Sequence, residues 1–269
     1  MVNALARRSM LALVLGASVP GIVSAAPLID KTLTIKVFQL CDDSGANCAS
    51  LGPVSDLYYA NATNTIWAQA GISIAYTFGG QINSTLYSDI DNAAGSGHRF
   101  ADLRNTYGLT DYNNDLVDMF LVHTVGDSSV PTSAYGVGWS GHAGLVMAMD
   151  TIMGYNSGDP NYPFGRIDTM AHELGHNFGL VDALDPESDG AGHSTNASEL
   201  MASGGIRNVP GTVADVNPNG LGYDQLSQYQ IDLARLSPIL EDLPVPEPAT
   251  LSLLLAAAMG MAGAARRRA

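Results

Sequence analysis

Two histidines four residues apart, His172 and His176, enclose a glutamate, Glu173. Residues four apart share one face of a helix, so the two imidazoles can bind a single Zn²⁺. The glutamate beside the first histidine can take a proton from zinc-activated water and return it to a leaving amine. The spacing therefore predicts zinc-dependent hydrolysis of peptide bonds, with Glu173 as the general base.

The residues that follow predict a third protein ligand. Gly179 tolerates a positive φ, so it can end the helix and let Asp182 turn back to the metal. His193 is the alternative third ligand, reached across a longer loop. Glu199 would serve in a competing zinc class, which leaves Gly179 and Asp182 unexplained. The alternative without a metal site is a core helix that carries two surface histidines.

From His172 to Met201 the sequence resembles the metzincin clan of zinc peptidases. The motif H-E-x-x-H-x-x-G-x-x-D ends in Asp182 where most of the clan has histidine, and it matches the form found in fewer families. Met201 matches the Met-turn, which implies an apolar floor beneath the metal. Ser203 stands where some families carry a tyrosine, so a tyrosine that stabilises the oxyanion is not expected.

The resemblance implies an α/β (α+β) fold, a metzincin-like zincin with a twisted mixed sheet and an active-site helix. An irregular C-terminal subdomain would end in a helix at 226–235. The resemblance also implies a substrate-binding edge strand at 145–149. An extended peptide would pair with that strand through main-chain hydrogen bonds and present its scissile carbonyl to zinc.

The apolar spacing predicts the elements that position these residues. In chain order they are a strand at 33–40, a helix at 55–70, a strand at 72–78, a helix at 99–107, a strand at 116–124 and a loop at 126–144. Gly71 is the predicted stop of the first helix. His123 is interpreted as a packed strand residue and not as a ligand. These elements predict one mixed domain over 26–244.

The two ends of the chain have the composition of targeting segments. Residues 1–25 combine Arg7 and Arg8, an apolar run and small residues, which predicts a signal peptide. Residues 245–269 combine Pro-Glu-Pro, a short apolar run and three arginines, and they resemble the PEP-CTERM sorting signal of Gram-negative bacteria. That resemblance implies an exosortase partner, transient membrane contact through the tail, and export to the outer surface or the extracellular space.

Charge and cysteine content agree with export. The chain has 12 basic and 26 acidic residues, a net charge of −14, which disfavours a nucleic-acid partner. Cys41 and Cys48 predict a disulfide because an even, closely spaced pair in an exported chain is typical of one. Residues 185–190 loosely resemble a calcium loop, but Asn196 replaces the bidentate glutamate, so Ca²⁺ is only a weak prediction beside zinc.

Two functions fit these features. The first is an exported zinc endopeptidase. The alternative is a surface or extracellular-matrix protein whose metal site is structural or inactive, because a sorting tail gives a destination and no activity. Glu173 favours the enzyme, since a structural zinc site needs no general base and is normally closed by a fourth protein ligand.

Overall fold

The computed structural model describes residues 27–90, 99–107, 116–127, 130–139, 143–180 and 184–244. The predicted signal peptide at 1–25, the sorting tail at 245–269 and Asp182 lie outside these ranges. Within the ranges, no helix is both long enough and apolar enough to cross a membrane.

The described residues form a mixed α/β structure, as the sequence predicts. The strands are β1 Lys31–Cys41, β2 Ile72–Asn83, β3 Asp89–Ile90, β4 Leu116–Val122, β5 Thr124–Asp127, β6 Val130–Ala134, β7 Gly136–Gly138, β8 Gly144–Ala148 and β9 Glu241–Asp242. The α-helices are α1 Ala60–Trp67, α2 Thr85–Ser88, α3 Arg99–Thr106, α4 Met149–Gly154, α5 Thr169–Asn177 and α6 Gln228–Arg235.

The main sheet is mixed and has the strand order β2-β1-β4-β8-β7. The first four of these strands are parallel, β7 runs antiparallel to β8, and the short β9 pairs antiparallel with β1. A second sheet of the described residues joins β3, β5 and β6. The crossover helix α1 lies between β1 and β2 in the chain, as is usual for a parallel pair.

Strands β4 and β8 are largely buried on both faces, which explains why they are mostly apolar, whereas β1 alternates buried and partly buried residues. Successive residues of a strand point to opposite faces, so each strand contributes to two cores. In β4, Met119 and Leu121 enter the larger core, which includes buried residues of α1 and α5, while Phe120 and Val122 enter a smaller core. All five residues of β8 are buried for the same reason.

Helix α5 is held against α1 by an aromatic contact. The rings of Trp67 and Phe178 lie 4.6 Å apart between centroids and are nearly perpendicular, an edge-to-face geometry. Met170, Ala171 and Leu174 of α5 are fully buried in the same core. The helix that carries the candidate chemistry is therefore an interior element.

The helix predicted at 55–70 is confirmed as a helical segment but is divided. A 3₁₀ turn at Leu57–Tyr59 precedes α1, because Tyr58 and Tyr59 have positive φ. The Asp56 carboxylate accepts hydrogen bonds from the backbone N–H groups of Asn61 and Ala62, at 2.7 and 3.2 Å. Gly71 adopts a φ of +71° and ends the segment, as predicted.

The prediction of an edge strand at 145–149 is wrong. β8 covers this stretch but lies between β4 and β7, so it is an inner strand. The edge is β7, which belongs to the stretch 126–144 that composition predicts as a loop. Part of that stretch forms strands β6 and β7, and three residues of β7 pair with β8. The glycine content of this stretch suggests a loop, but the glycines of β7 allow the strand to lie close to helix α5, as described below.

The remaining sequence predictions agree with the structure in outline. α6 begins at Gln228 after Ser227, whose hydroxyl accepts a hydrogen bond from the backbone of Gln230 at 3.2 Å. Between 184 and 227 the chain is irregular apart from a 3₁₀ turn at Val213–Asp215. His123 is an exception: it is predicted as a packed strand residue but lies between β4 and β5, with its Nδ1 2.8 Å from a carboxylate oxygen of Asp150.

Cys41 and Cys48 form a disulfide, which confirms the predicted pair. Cys41 is the last residue of β1, and the loop it closes is held by Asp42, whose carboxylate accepts hydrogen bonds from Ser44 and Ala46. The bridge therefore fixes the end of a central strand.

Replacing both cysteines by serine should lower the free energy of unfolding by about 2 to 3 kcal/mol, because the bridge restricts a short loop in the unfolded chain. Urea denaturation of the oxidised protein and of the double variant measures the difference. A reducing agent should destabilise the wild type and leave the variant unchanged. Equal denaturation midpoints for the oxidised protein and the double variant would show that the disulfide does not stabilise the fold.

Candidate metal centre

Helix α5 places His172 and His176 on one face. They are one helical turn apart, and their ring centroids are separated by 4.9 Å. The helix ends at Asn177, and Gly179 then adopts a φ of +84°, the left-handed conformation the sequence predicts. The N–H groups of Gly179 and Leu180 bond back to helix carbonyls, which turns the chain away from the helix axis.

His193 completes a group of three histidines. Its ring centroid lies 5.4 Å from those of both His172 and His176. One ligand atom from each of the three lies within 4.8 Å of the others, close enough for one metal ion. Among the described residues, this is the group of histidines, cysteines and carboxylates that could hold a metal.

A short turn holds His193 in place. One oxygen of the Asp189 carboxylate accepts hydrogen bonds from the backbone N–H groups of Ala191 and His193, at 2.7 and 3.0 Å. The backbone N–H of Asp189 donates to the carbonyl of His193 at 2.7 Å. Gly190 and Gly192 both have positive φ, which lets the turn close.

The structure does not describe Asp182, so the predicted Asp182 ligand is neither supported nor contradicted by it. His193, the alternative, lies in the group. Glu199, the ligand of the competing zinc class, lies outside it and accepts a hydrogen bond from Gln230 at 2.8 Å. Asp185, in the loop that resembles a calcium site, also accepts a hydrogen bond from Gln230, at 3.1 Å. Calcium binding at this loop stays a prediction.

All three imidazoles favour the neutral form, which is the form that binds metal. Burial and the nearby charge of Arg207 hold the pKa of His172 well below its usual value. Burial, with His193 and Arg207 nearby, lowers the pKa of His176 to about 4. Burial also lowers the pKa of His193. Three neutral nitrogen ligands suit Zn²⁺, so the donor set fits the metal the sequence predicts.

The backbone carbonyl of Leu200 orients His172. It lies 2.8 Å from Nδ1 of that ring, and the guanidinium of Arg207 contacts the same nitrogen. Nε2 is then available as the ligand atom. Such a hydrogen bond to the far ring nitrogen is a usual feature of histidines that bind metals.

Met201 lies directly beneath α5. It is buried, and its sulfur lies so close to Gly175 that a Cβ there would displace the methionine side chain. Gly175 immediately precedes His176 in the helix. The methionine therefore packs against the turn of α5 that carries the two helical histidines.

Glu173 faces the cleft beside His172. Its side chain is 7% exposed and lines a cavity of about 570 Å³ together with the three histidines. Burial raises the pKa of Glu173 to about 7, against the charge of Arg207 and a hydrogen bond from the backbone of Gly138. A buried carboxyl group therefore borders the cavity beside the three histidines.

Strand β7 lies in contact with α5, a feature that sequence reasoning missed. A Cβ at Gly138 would lie 2.3 Å from the carbonyl oxygen of Glu173, and one at Gly136 would lie 2.7 Å from the Glu173 Cγ. Both positions therefore require glycine. The available signal was the alternation Gly136-Val137-Gly138 within the predicted loop.

Asn177 joins the end of α5 to the sheet, and it was also missed. Its side-chain N–H₂ donates to the carbonyls of Trp139 and Gly144, at 3.0 and 2.7 Å. Its side-chain oxygen accepts from the N–H of Gly144 at 3.2 Å. The residue is 2% exposed, so its hydrogen bonds are shielded from water.

Two family models match the chain. Residues 58–181 match the Metallo-peptidase family M12B Reprolysin-like, and this range includes α5. Residues 244–269 match the PEP-CTERM protein-sorting motif. The metallopeptidase and sorting-signal resemblances are thereby confirmed. No curated protein matches the chain significantly.

Solved metallopeptidase structures show partial similarity. Metalloproteinase-II from Bacteroides fragilis is 15% identical with a TM-score of 0.41, over 79% of this chain and 54% of that one. Archaemetzincin from Methanopyrus kandleri is 12% identical with a TM-score of 0.43, over 76% and 94%. A zinc-dependent peptidase from Methanocorpusculum labreanum is 10% identical with a TM-score of 0.35, over 76% and 99%. The chain spans about half the length of the Bacteroides fragilis protein.

Replacing His193 by alanine should weaken zinc binding on the order of 100-fold or more, because one of three protein ligands is lost. Competition with a chelating dye measures the affinity. His123→Ala should bind zinc like the wild type, because its imidazole lies outside the group, and Asp182→Ala tests the ligand that the sequence predicts. If Asp182→Ala loses zinc and His193→Ala keeps it, the third ligand is Asp182.

Replacing Gly138 by alanine should lower the free energy of unfolding by roughly 1 to 3 kcal/mol, because its Cβ collides with the backbone of α5. Thermal or urea unfolding measures the loss. Gly154→Ala is the matched control, since a Cβ there meets no atom within 4 Å. Equal losses in the two variants would show that the contact between β7 and α5 is not tight.

Proposed function

We propose that this chain, which carries a reprolysin-like M12B metallopeptidase domain and a PEP-CTERM sorting motif, is an exported zinc-dependent endopeptidase. One observation carries the proposal. Three histidines offer ligand atoms within 4.8 Å of one another, and a buried glutamate lies beside them in an open cleft. A purely structural zinc site would have no use for that glutamate.

The protein side chains divide the chemistry between them. His172, His176 and His193 would hold the metal, and Met201 would support them from below. Zinc bound there would polarise the scissile carbonyl and acidify water at the site. Glu173 would take the proton of the attacking water and pass it to the nitrogen of the leaving amine.

Strand β7 is the element best placed to bind the peptide. It lies at the edge of the main sheet, and its three residues line the cavity together with Glu173. An extended substrate would add to this edge through main-chain hydrogen bonds, which are largely independent of sequence. A cleft bordered in this way accepts the interior of a peptide chain, and this supports an endopeptidase.

The ends of the chain determine where the enzyme would act. We retain residues 1–25 as the signal peptide, 26–244 as the catalytic domain and 245–269 as the sorting tail. The PEP-CTERM motif implies recognition by an exosortase and export to the cell surface of a Gram-negative bacterium. Transient contact of the tail with the membrane is part of the same proposal.

Glu173→Gln should abolish cleavage of an unfolded protein substrate, because an amide cannot take the proton, and it should leave zinc content unchanged. Wild-type activity should disappear with a chelator and return with added zinc. Glu241→Gln is the matched control, since Glu241 is exposed in β9 and does not line the cleft. Substrate hydrolysis and metal content are measured on each purified protein.

Two other outcomes have distinct meanings. Bound zinc without cleavage of varied unfolded substrates would favour the alternative, a surface or matrix protein with a structural or inactive site. Full activity in Glu173→Gln would leave a peptidase but remove Glu173 as its base.

A further inference from the structure

A second pocket, of about 390 Å³, adjoins the metal cleft. It shares Gly136, His172, Glu173 and His193 with the cleft, so its occupant would lie next to the reacting bond. Its far wall is formed by residues 203–205, which follow Met201 in the chain. Arg166 and Arg207 also line it, and neither has a part in the proposed zinc chemistry.

Both arginines are nearly inaccessible to solvent, with 2% and 8% exposure for Arg166 and Arg207. The Arg166 guanidinium stacks over the ring of Tyr135 at 4.7 Å from its centroid. Its Nε lies 3.3 Å from one oxygen of Asp168, and the Nε of Arg207 lies 2.8 Å from the other. Arg207 also donates to the carbonyl of Leu200 at 2.8 Å and contacts Nδ1 of His172.

Two polar groups that line this pocket have no hydrogen-bond partner among the described residues. Within the described part of the chain, Nη2 of Arg166 and the hydroxyl of Thr169 are buried and have no hydrogen-bond partner. Both residues line the pocket. Leaving a buried charged donor unsatisfied is costly, so such a donor is normally met by a ligand or water.

The unpartnered edge of Arg166 faces an exposed wall of the pocket. A Cβ at Gly204 would lie 3.6 and 3.9 Å from its two terminal nitrogens, and Gly204 is solvent-exposed. A group that enters the pocket along this wall therefore comes within reach of the guanidinium.

Two buried arginines lie beside this pocket, and one carboxylate forms ion pairs with both. Arg166 and Arg207 share the single carboxylate of Asp168. Glu173 also lines the pocket, where burial raises its pKa and the charges of the two arginines lower it. Asp224 is also buried, but burial and the nearby Asp168 raise the pKa of Asp224 well above its usual value, so it favours the neutral form. The pocket therefore presents two guanidinium groups in a chain whose net charge is −14.

We propose that this pocket binds a carboxylate of the substrate, so that the enzyme prefers peptides with Asp or Glu next to the scissile bond. The inference rests on the proposed peptidase function and adds its specificity. A carboxylate would accept hydrogen bonds from Arg166 Nη2 and the Thr169 hydroxyl, and charge-assisted bonds of this kind are strong. The same chemistry could come from the terminal carboxylate of a short peptide, and the experiment separates the two sources.

The test compares peptides that differ at one position beside the cleaved bond. The zinc-loaded full chain should cleave internal Glu peptides with a kcat/KM roughly tenfold or more above that of Gln peptides. A second pair places a free or an amidated C-terminus one residue beyond the bond. A preference for the free terminus alone would show that the carboxylate is terminal and would overturn the proposed side-chain specificity.

Gly204→Asp and Gly204→Asn form a matched pair that leaves the buried arginines intact. The aspartate would place a carboxylate against Arg166 and compete with the substrate, so the ratio of Glu to Gln cleavage should fall to about one. The asparagine has nearly the same shape without charge, so the ratio should stay close to that of the wild type. A ratio lost equally in both variants would contradict the electrostatic explanation.

The experiment distinguishes an error in the proposed carboxylate specificity from an error in the proposed peptidase function. Equal wild-type cleavage of Glu and Gln peptides would overturn the carboxylate pocket and leave the peptidase intact. If no peptide is cleaved, equilibrium binding to the zinc-loaded wild type decides the inference. Glu peptides should then bind at least fivefold more tightly than Gln peptides, and Gly204→Asp should remove the difference. Equal affinities would reject the pocket.

Discussion

The close contact between strand β7 and helix α5 is the constraint on which the site depends. Strand and helix approach until a single added carbon at Gly138 would meet the backbone of Glu173 at 2.3 Å. That approach brings the edge of the sheet alongside the three histidines and makes β7 one wall of both cavities. A side chain at either glycine would press the strand away from the helix and change the width of the cleft between them.

Other contacts hold α5 so that this approach is maintained. Asn177 ties its C-terminal end to Gly144, at the start of β8, while Phe178 packs edge-to-face on Trp67. Met201 fills the space that Gly175 leaves beneath the helix. The ligand-bearing face is thus fixed from the sheet, from α1 and from below, and a catalytic geometry needs such support around it.

The sequence predicts well what depends on local spacing. The helical turn between His172 and His176, the positive φ at Gly179 and the alternation of β1 follow from neighbouring residues. Contacts between residues far apart in the sequence could not be predicted from it. Glycines 136 and 138 have a loop-like composition until a helix 35 residues later is packed against them. The convergence of Arg166 and Arg207 on Asp168 depends on a fold that spacing alone does not reveal.

The choice between Asp182 and His193 also depends on the path of a loop, which spacing does not determine. His193 is held by a turn closed by the carboxylate of Asp189, whereas His172 and His176 belong to an interior helix. A metal bound by these three would have two ligands on a rigid element and one on a surface turn. Opening of that turn would remove His193 from the group while α5 keeps His172 and His176 in place. Metal exchange would then proceed stepwise, at a rate set by local opening of the turn and not by global unfolding.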